Sequence, residues 1–212
     1  MAKSGSQKRW VKEHHDDPYV KKAHAEGLRC RAAYKLIELQ EKDRLFSANQ
    51  IVVDLGSAPG GWSQVLPRWI GKNGKIIALD ILPMDPLHQV NFIQGDFTSE
   101  EVYQELIKLL GNVLDGENQP KVDWVISDMA PNFAGDKAID QPKSLYLVEL
   151  AFQFALEHLA PGGGFIAKLF QGAGFQEFQG LVKKSFKHVA IRKPDASRDR
   201  SSECYLVARD KI

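Results

Sequence analysis

The stretch IVVDLGSAPGGW, residues 51–62, decides the fold of this chain. It joins a run of apolar β-branched residues, 51–53, to a loop that holds three glycines and one proline. A short apolar run that ends in such a loop is typical of a buried strand that turns into a helix. Glycines in that turn allow backbone N–H groups to come close to a ligand at the helix N-terminus. The stretch therefore predicts a strand–loop–helix unit with a small-molecule cofactor at the loop.

Short apolar runs alternate with helical patterns after residue 50, which indicates βαβ units and a mostly parallel sheet in an α/β fold. The predicted strands lie at 51–55, 75–80, 90–96, 122–128, 164–170, 188–193 and 203–210. The predicted helices between them, on both faces of the sheet, lie at 64–70, 99–110, 144–160 and 175–186. The loop between the last two strands is too short for a crossover helix. Those two strands are therefore predicted to form an antiparallel hairpin at the sheet edge.

Composition divides the chain into two parts. Residues 1–30 form a basic N-terminal arm with the start of a helix, and residues 31–212 form the α/β domain. A helix predicted over 29–46 must pack on this domain, because its apolar stripe has no other partner nearby. With 212 residues, 43% of them hydrophobic, the chain is long enough for one sizeable core, and we expect a monomer.

The sequence favours a cytoplasmic protein without a membrane segment. No stretch approaches the roughly 18 to 20 consecutive apolar residues that a membrane helix needs, and the basic N-terminus lacks the apolar segment of a signal peptide. The two cysteines, Cys30 and Cys204, stand far from any metal-ligand spacing. We expect free thiols and no metal site.

The net charge of +1 hides a strong asymmetry along the chain. Residues 1–35 carry nine Lys or Arg against four Asp or Glu, and residues 183–200 carry seven against two. Two basic segments on a less basic body suit a rim that binds a polyanion such as RNA. Two lysine-rich surfaces that are only solvated fit the charge pattern equally well.

Aspartates stand at or beside the ends of the first four predicted strands, as Asp54, Asp80, Asp96 and Asp128. The carboxyl ends of strands in an open α/β sheet face one crevice, so these side chains are expected to cluster. Asp80, twenty residues after Gly60, is placed to accept hydrogen bonds from both hydroxyls of a ribose. Asp96 is placed to accept one from the exocyclic amine of an adenine. Each aspartate alone is more simply a helix N-cap, but three in register with a glycine loop favour a ligand.

The glycine spacing points to the kind of ligand. G-x-x-x-G-G departs from the dinucleotide motif G-x-G-x-x-G, and Pro59 removes a backbone donor where a pyrophosphate needs one. These two features disfavour a nicotinamide-dependent oxidoreductase. The ligand implied is a nucleoside with little or no phosphate, and S-adenosylmethionine meets that description.

Longer motifs carry a resemblance over nearly the whole chain, from about Trp10 to Val207. They are DLGSAPGGWSQ, PMDP, QGDF, SDMAPN, YLVELA, LAPGG, KLFQG and RKPDASRDRSSECYLVA. In their residues and their order along the chain, these motifs resemble those of the FtsJ/RrmJ family of S-adenosylmethionine-dependent RNA ribose 2′-O-methyltransferases, above all its bacterial ribosomal RNA branch. The resemblance implies a Rossmann-like class I methyltransferase fold, with a seven-stranded, mostly parallel sheet and an antiparallel C-terminal hairpin. The cofactor contacts that it implies are Gly60, Trp62, Asp80, Asp96 and Asp128.

The family's catalytic set, Lys-Asp-Lys-Glu, falls by this resemblance on Lys35, Asp128, Lys168 and Glu203. Lys168 interrupts an apolar strand expected to be buried on both faces, where a lysine is costly unless it reaches the crevice. Taken alone, Lys168 is more simply a snorkelling lysine and Glu203 an ordinary edge carboxylate.

We assign Lys168 as the general base of methyl transfer to a ribose hydroxyl. A free lysine has a pKa of about 10.4, so burial or a second cation must lower it before the amine can accept a proton. Lys35 is the candidate cation, Asp128 is expected to orient Lys168, and Glu203 is expected to fix a lysine.

The substrate that the resemblance implies is the ribose of a uridine in large-subunit (23S) ribosomal RNA, with the 50S subunit as the partner. Basic residues are expected to bracket the crevice and neutralise phosphates. They are Lys3, Lys8, Arg9, Lys12, Lys21, Lys22, Arg29 and Arg31 on one side, and Lys183, Lys184, Arg192, Lys193, Arg198 and Arg200 on the other. Trp10, Tyr19 and Tyr34 are candidates for stacking on bases, although Tyr34 also suits a core position. Two alternatives stay open: a 2′-O-methyltransferase for tRNA or an mRNA cap, and a non-catalytic RNA-binding ribosome-assembly factor.

Overall fold

The computed structural model describes residues 16–114, 121–198 and 201–212. Within these ranges one sheet runs through the molecule. Its strands are β1 (Ile51–Leu55), β2 (Lys75–Asp80), β3 (Val90–Gln94), β4 (Val122–Ser127), β5 (Leu159–Phe170), β6 (Phe186–Arg192) and β7 (Glu203–Lys211). They lie side by side in the order β3-β2-β1-β4-β5-β7-β6. The first five strands are parallel, and β7 is antiparallel to both β5 and β6. This arrangement confirms the predicted seven-stranded α/β sheet with its C-terminal hairpin.

The helices are α1 (Pro18–Ala25), α2 (Ala32–Asp43), α3 (Gly61–Val65), α4 (Pro67–Ile70), α5 (Glu100–Val113), α6 (Lys137–His158) and α7 (Phe175–Lys183). Three of these helices have a side-chain N-cap. The cap residues Asp17, Ser99 and Asp136 each accept a hydrogen bond from a backbone N–H in the first turn. In the described part of the chain, no helix has the length and apolar character that crossing a membrane requires.

The largest differences from the predicted elements occur at three places. Helix α6 begins at Lys137, seven residues before the predicted start, because Asp136 caps it upstream and Pro142 is tolerated inside it. Strand β5 begins at Leu159, within the sequence predicted to end a helix, and pairs with β4 through an irregular register at its start. The predicted helix at 64–70 is two short helices, with Pro67 opening the second.

Helices cover both faces of the sheet and divide the core in two. One face packs against α5, α6 and α7, and the other against α1, α2, α3 and α4. Side chains alternate between the faces along each strand. Trp124 and Ile126 of β4, like Ile166 of β5 and Tyr205 of β7, point to the face that α2 covers. Two positions after Ile126 and two positions after Ile166, the same alternation leads to charged residues at the carboxyl end of the sheet.

Candidate active site

The four charged residues predicted for catalysis form two ion pairs on the α2 face of the sheet. Lys168 Nζ lies 3.1 Å from Asp128 Oδ1 and also donates a hydrogen bond to the Asp128 carbonyl. Lys35 Nζ lies 2.6 Å from Glu203 Oε1. Both lysines are buried, with 8% exposure for Lys35 and 7% for Lys168. A buried lysine needs a paired anion, and each of these has one.

Strand periodicity explains why these side chains meet. Asp128 comes two positions after Ile126, and Lys168 two positions after Ile166, so both continue the apolar row that faces α2. Lys35 comes from α2 itself. The antiparallel register places Tyr205 of β7 directly opposite Lys168 of β5.

Tyr205 is a member of this cluster that the sequence analysis missed. Its hydroxyl donates a 2.7 Å hydrogen bond to Asp128 Oδ1, and Lys35 Nζ lies 5.5 Å from its ring centroid. Burial, and then the nearby charges of Asp128 and Glu203, raise the pKa of Tyr205 well above its ordinary value, so the phenol stays protonated. The usable signal was a tyrosine in a strand buried on both faces, since a buried hydroxyl needs a partner. The partner depends on the β5–β7 register.

The charges around Asp128 keep it ionised. Burial by itself opposes ionisation of this carboxyl, but the positive charges of Lys168 and Lys35 and the hydrogen bond from Tyr205 outweigh it. Together they hold the pKa of Asp128 below its ordinary value. A carboxylate is therefore fixed at the end of β4 throughout the neutral pH range.

The segment between β6 and β7 closes over the second ion pair. Ser197 Oγ donates a 2.8 Å hydrogen bond to Glu203 Oε1, the oxygen that pairs with Lys35. The Glu38 carboxylate of α2 accepts backbone N–H groups from Asp195 at 2.5 Å and Ala196 at 3.1 Å. The hairpin loop is thus fastened to α2, and Glu203 is fixed on both sides.

A cavity of about 840 Å³ opens at the carboxyl ends of the strands. Three of the predicted cofactor residues line it, Asp80, Asp96 and Asp128. The remaining lining residues are Gly56, Ala58, Leu79, Ile81, Leu82, Gly95, Phe97, Thr98, Met129, Ala130, Pro131, Asn132, Lys143, Tyr146 and Leu147. Cavities of a few hundred to about a thousand Å³ hold small molecules and cofactors.

Asp80 and Asp96 are both oriented by backbone hydrogen bonds. The two oxygens of Asp80 accept N–H groups from Ala58 and Leu82, each at 2.8 Å. Asp96 is exposed, and its Oδ1 accepts from the N–H and hydroxyl of Thr98. A carboxylate oxygen has two lone pairs, so both aspartates retain acceptor capacity toward the cavity.

The glycine loop after β1 behaves differently from the expectation of open N–H groups. Gly56 N–H donates to Leu79 O, Ala58 N–H to Asp80, and Gly60 N–H to Ser57 O. These donors are used within the protein and do not form a phosphate cradle. Gly56 is needed for a different reason: its φ is +77°, and an added Cβ would lie 2.7 Å from the backbone N of Met129.

Gly60 and Trp62 lie outside the residues that line the cavity. Gly60 has a φ of +100° and precedes α3. Trp62 is 2% exposed, its Nε1 donates to Ala32 O at 2.9 Å, and its ring centroid lies 5.7 Å from that of Tyr205. The indole therefore supports the floor of the catalytic cluster. The predicted cofactor contacts of both residues stay predictions.

Asp54, at the end of β1, is a buried acid to which the sequence analysis assigned no role. It is 0% exposed, its Oδ2 accepts a 2.6 Å hydrogen bond from Ser63 Oγ, and its Oδ1 has no partner among the described residues. Burial, and then the charges of Asp128 and Asp80, raise its pKa to about 7. Asp54 thus ties α3 to β1 with a carboxyl that is partly protonated near neutral pH.

Much of the predicted basic rim is occupied within the protein. Arg29 donates to the carbonyl oxygens of Pro59, Asp85 and Pro86 at 2.7 to 3.0 Å. Arg31 contacts Asp17 and Ala196 O, and Arg192 makes two hydrogen bonds to Asp43. These arginines join loops and helices, so their availability to phosphates is reduced.

Other lysines of the predicted rim lie at opposite ends of the sheet. Lys183 ends α7 and Lys184 is its C-cap, just before β6, which starts at the amino-terminal end of the sheet, opposite the cavity. The expectation that they bracket the crevice is therefore wrong. Lys21 and Lys22 are exposed on α1; Lys22 Nζ lies 4.7 Å from the ring centroid of Tyr34, the residue before Lys35, and 3.9 Å from Glu26 Oε1. Lys3, Lys8, Arg9, Trp10, Lys12 and Arg200 lie outside the described residues.

The two candidate stacking tyrosines lie together. Tyr34 is 4% exposed and belongs to the core, the alternative position considered for it. Tyr19 is partly buried, with its ring centroid 5.5 Å from that of Tyr34. Tyr34 is thereby unavailable as a surface for stacking.

Known proteins share this sequence and fold. A model of the FtsJ-like methyltransferase family matches residues 28–211. Marinobacter nauticus and Pseudomonas aeruginosa each have a protein named ribosomal RNA large subunit methyltransferase E. These are 53% and 52% identical to this chain over 209 residues, covering 99% of this chain and 98% of each relative.

A crystal structure from Plasmodium falciparum, provisionally named a ribosomal RNA methyltransferase, has a TM-score of 0.76 at 32% identity. It covers 87% of this chain and 98% of its own. Together with the sheet order, this similarity confirms the predicted methyltransferase fold. The match to the family model extends over most of the chain, so this protein belongs to the FtsJ-like methyltransferases, which use S-adenosylmethionine as their cofactor.

Proposed function

We propose that this protein methylates the ribose 2′-hydroxyl of a uridine in large-subunit (23S) ribosomal RNA, with Lys168 as the general base. The observation that carries the proposal is the buried Lys168–Asp128 pair, 3.1 Å apart, in which Asp128 also lines the cofactor cavity. An amine beside a cofactor pocket can accept a proton from a hydroxyl that lies within hydrogen-bond reach.

The cavity fits S-adenosylmethionine chemically. Asp80 offers carboxylate oxygens suited to the two ribose hydroxyls, and Asp96 an acceptor for the adenine amine. The loop N–H groups are used within the protein, which agrees with a nucleoside ligand that carries no phosphate. Asp128 is an ionised carboxylate in the same wall, and it suits a cationic centre. When bound, this cofactor supplies a methyl group already activated by a positively charged sulfur.

Lys168 is held for proton transfer by the residues around it. Asp128 contributes its carbonyl and one carboxylate oxygen to Nζ, which fixes the amine at the end of β5. Tyr205 donates to the same carboxylate oxygen and limits its rotation. Lys168 would accept the proton of the ribose hydroxyl as that oxygen bonds to the methyl carbon and the bond between this carbon and sulfur breaks, so Lys168 must enter the step as a neutral amine. Holding both reactants in this orientation supplies much of the rate acceleration.

Lys35 and Glu203 form the second half of the proposed set. Glu203 fixes Lys35 at 2.6 Å, and Ser197 fixes Glu203. The ammonium of Lys35 lies on the ring of Tyr205, whose hydroxyl reaches Asp128. We assign Lys35 to the substrate, as a cation that binds the hydroxyl or an adjacent phosphate.

Two observations support ribosomal RNA as the substrate. Relatives more than 50% identical over nearly their whole length carry the name ribosomal RNA large subunit methyltransferase E. Helix α1 packs on the same face of the sheet as α2, which carries Lys35, so the exposed lysines of α1 lie on the side where RNA phosphates would approach. We propose that residues 1–30 act as an RNA-binding arm of the domain formed by 31–212.

The experiment that tests this function is methyl transfer with labelled S-adenosylmethionine to three RNAs: naked 23S ribosomal RNA, purified 50S subunits and tRNA. We expect transfer to the ribosomal substrates, with the label on the ribose of one uridine. Label on a base, or transfer to tRNA alone, would contradict the proposal. Comparison of naked RNA with 50S subunits identifies which of the two is the substrate.

A further inference from the structure

Phe133 is a large apolar side chain that stays 54% exposed beside the cofactor cavity. Its neighbours Pro131 and Asn132 line that cavity, whereas Phe133 itself lies just outside the lining. Its ring packs against Phe170 at a centroid distance of 5.4 Å and an interplanar angle of 80°. This edge-to-face contact fixes the ring, and an exposed aromatic ring with a fixed orientation is typical of a binding surface.

The loop that carries Phe133 is anchored at both ends. Asp140 of α6 is 7% exposed, and its two carboxylate oxygens accept the backbone N–H groups of Ala134 at 2.8 Å and Gly135 at 2.9 Å. At the other end, Met129 packs so closely on Gly56 that no side chain fits between them. Because one buried carboxylate accepts two N–H groups of this surface loop, the loop is held in a defined position beside the cavity.

The order of the strands places Phe133 relative to the reaction. Along the carboxyl edge of the sheet, Asp96 and Asp80 follow β3 and β2, while Asp128 and Lys168 belong to β4 and β5. Phe170, the partner of Phe133, ends β5. Phe170 lies two positions after Lys168 on the same strand, and Phe133, like Asp128, follows β4. The aromatic pair therefore lies beside the catalytic pair at the carboxyl ends of β4 and β5, away from the strands that carry the two cofactor carboxylates.

Methyl transfer requires that position to be filled by the substrate. The attacking oxygen must approach the methyl carbon from the side opposite to sulfur and lie within hydrogen-bond reach of Lys168, so the nucleotide lies beside Lys168 at the carboxyl ends of β4 and β5. Phe170 lies two positions after Lys168 on β5, and the exposed ring of Phe133 packs against it. Nucleic-acid bases that leave their own stack commonly stack on aromatic side chains.

We propose that Phe133 is the stacking platform for the nucleobase of the target nucleotide. This inference rests on the proposed function, because it places the nucleobase at Phe133 only once the ribose of the same nucleotide is placed at Lys168. Phenylalanine has no donor or acceptor, so the platform binds the base through its ring face and does not select its identity. Asp140 is the positioning residue that holds the platform in place.

Steady-state kinetics with 23S ribosomal RNA or 50S subunits, whichever the wild type methylates, test the platform. Phe133→Ala should raise the KM for RNA by roughly 5- to 100-fold, the range expected for one lost stack, and leave the cofactor Kd unchanged. Phe133→Trp keeps an aromatic ring at this position, so its KM for RNA should lie close to the wild-type value. The matched control is Leu181→Ala on α7, which removes a side chain of similar exposure, 48%, and should have no effect.

A second readout is independent of turnover. Phe133→Trp places an indole on the platform, and its fluorescence should be quenched when a uridine-containing oligonucleotide binds, beyond the response of the wild-type tryptophans. Leu181→Trp should give no added quenching. An unchanged KM in Phe133→Ala, a loss of cofactor affinity in that variant, or a defect seen with 50S subunits but not with naked RNA would each overturn the inference. A wild type that transfers no methyl to ribose would instead overturn the proposed function, and the quenching experiment would still report on the platform.

Discussion

The hydroxyl of Tyr205 donates to the same carboxylate oxygen of Asp128 that pairs with Lys168, at 2.7 Å and 3.1 Å respectively. One oxygen of Asp128 therefore contacts both the Tyr205 hydroxyl and the Lys168 amine. The two donors come from neighbouring strands that run in opposite directions, β7 and β5. The position of the proposed base thus depends on the pairing of these strands.

Tyr205→Phe should lower kcat by about 10- to 100-fold, because it removes one hydrogen bond to a charged group worth roughly 1.5 to 3 kcal/mol. Cofactor affinity should change little, since the ring stays in place. Turnover measured at saturating RNA, together with a cofactor titration, tests this. Tyr34→Phe, at another buried tyrosine, is the control. A Tyr205→Phe enzyme with wild-type kcat would exclude a role for this hydrogen bond.

Asp80→Ala should act on the cofactor first. The variant removes the carboxylate proposed to bind two ribose hydroxyls, and hydrogen bonds to a charged group are worth about 1.5 to 3 kcal/mol each. We expect the Kd for S-adenosylmethionine to rise at least about 10-fold, while RNA binding stays as in the wild type. Isothermal titration of cofactor and a filter-binding assay with RNA separate the two. An unchanged cofactor Kd is the contrary result.

Asp54 should give the folded protein a distinct pH dependence. Its carboxyl has a pKa of about 7 when folded, against about 3.9 in an unfolded chain. Between these values the folded protein holds a proton that the unfolded chain has released, so stability is lost as the pH rises from about 4 to about 7.

The isosteric variant Asp54→Asn does not titrate and should lack this loss. The unfolding free energy of the wild type relative to the variant should therefore fall across this window, by at most about 4 kcal/mol, and stay level above pH 8. Urea unfolding in steps of pH measures the difference. Parallel curves for the two proteins would show that Asp54 titrates normally.

The lysines of α1 should contribute to RNA binding through charge alone. Reversing Lys21 and Lys22 to glutamate should weaken RNA binding and reduce its salt dependence, since each phosphate contact contributes about one counterion to the salt slope. Cofactor binding should be unchanged. Reversal of Lys183 and Lys184, at the opposite end of the sheet, is the matched control and should affect RNA less. Equal effects of the two pairs would mean that the RNA surface is not confined to the catalytic end.

The number of strands and their directions could be predicted from the sequence, because short apolar runs alternate with helical patterns and the last two strands are joined by a short loop. The ends of α6 and β5 could not. Pro142 and the glycines at 162–164 read as breaks, whereas the Asp136 cap and pairing with β4 extend both elements across them.

The candidate site divides in the same way. Asp128 and Lys168 stand out in the sequence as charges at the ends of apolar strands, and their pairing follows from parallel neighbours. Tyr205 and Ser197 depend on the β5–β7 register and on a loop fastened by Glu38, which no local pattern encodes. The sequence analysis overestimated how many basic residues are available to RNA, because charge patterns do not show which arginines bind to groups within the protein.

The central claim is that Lys168 accepts the proton of the ribose hydroxyl, and one comparison tests it most directly. Lys168→Ala should bind S-adenosylmethionine with a Kd close to that of the wild type, because Lys168 is not among the residues that line the cofactor cavity. In a single-turnover assay with cofactor and RNA both saturating, the variant should lose methyl transfer by a factor of at least about 100, the lower end of general-base contributions. Cofactor binding with near-wild-type transfer in Lys168→Ala would contradict the account.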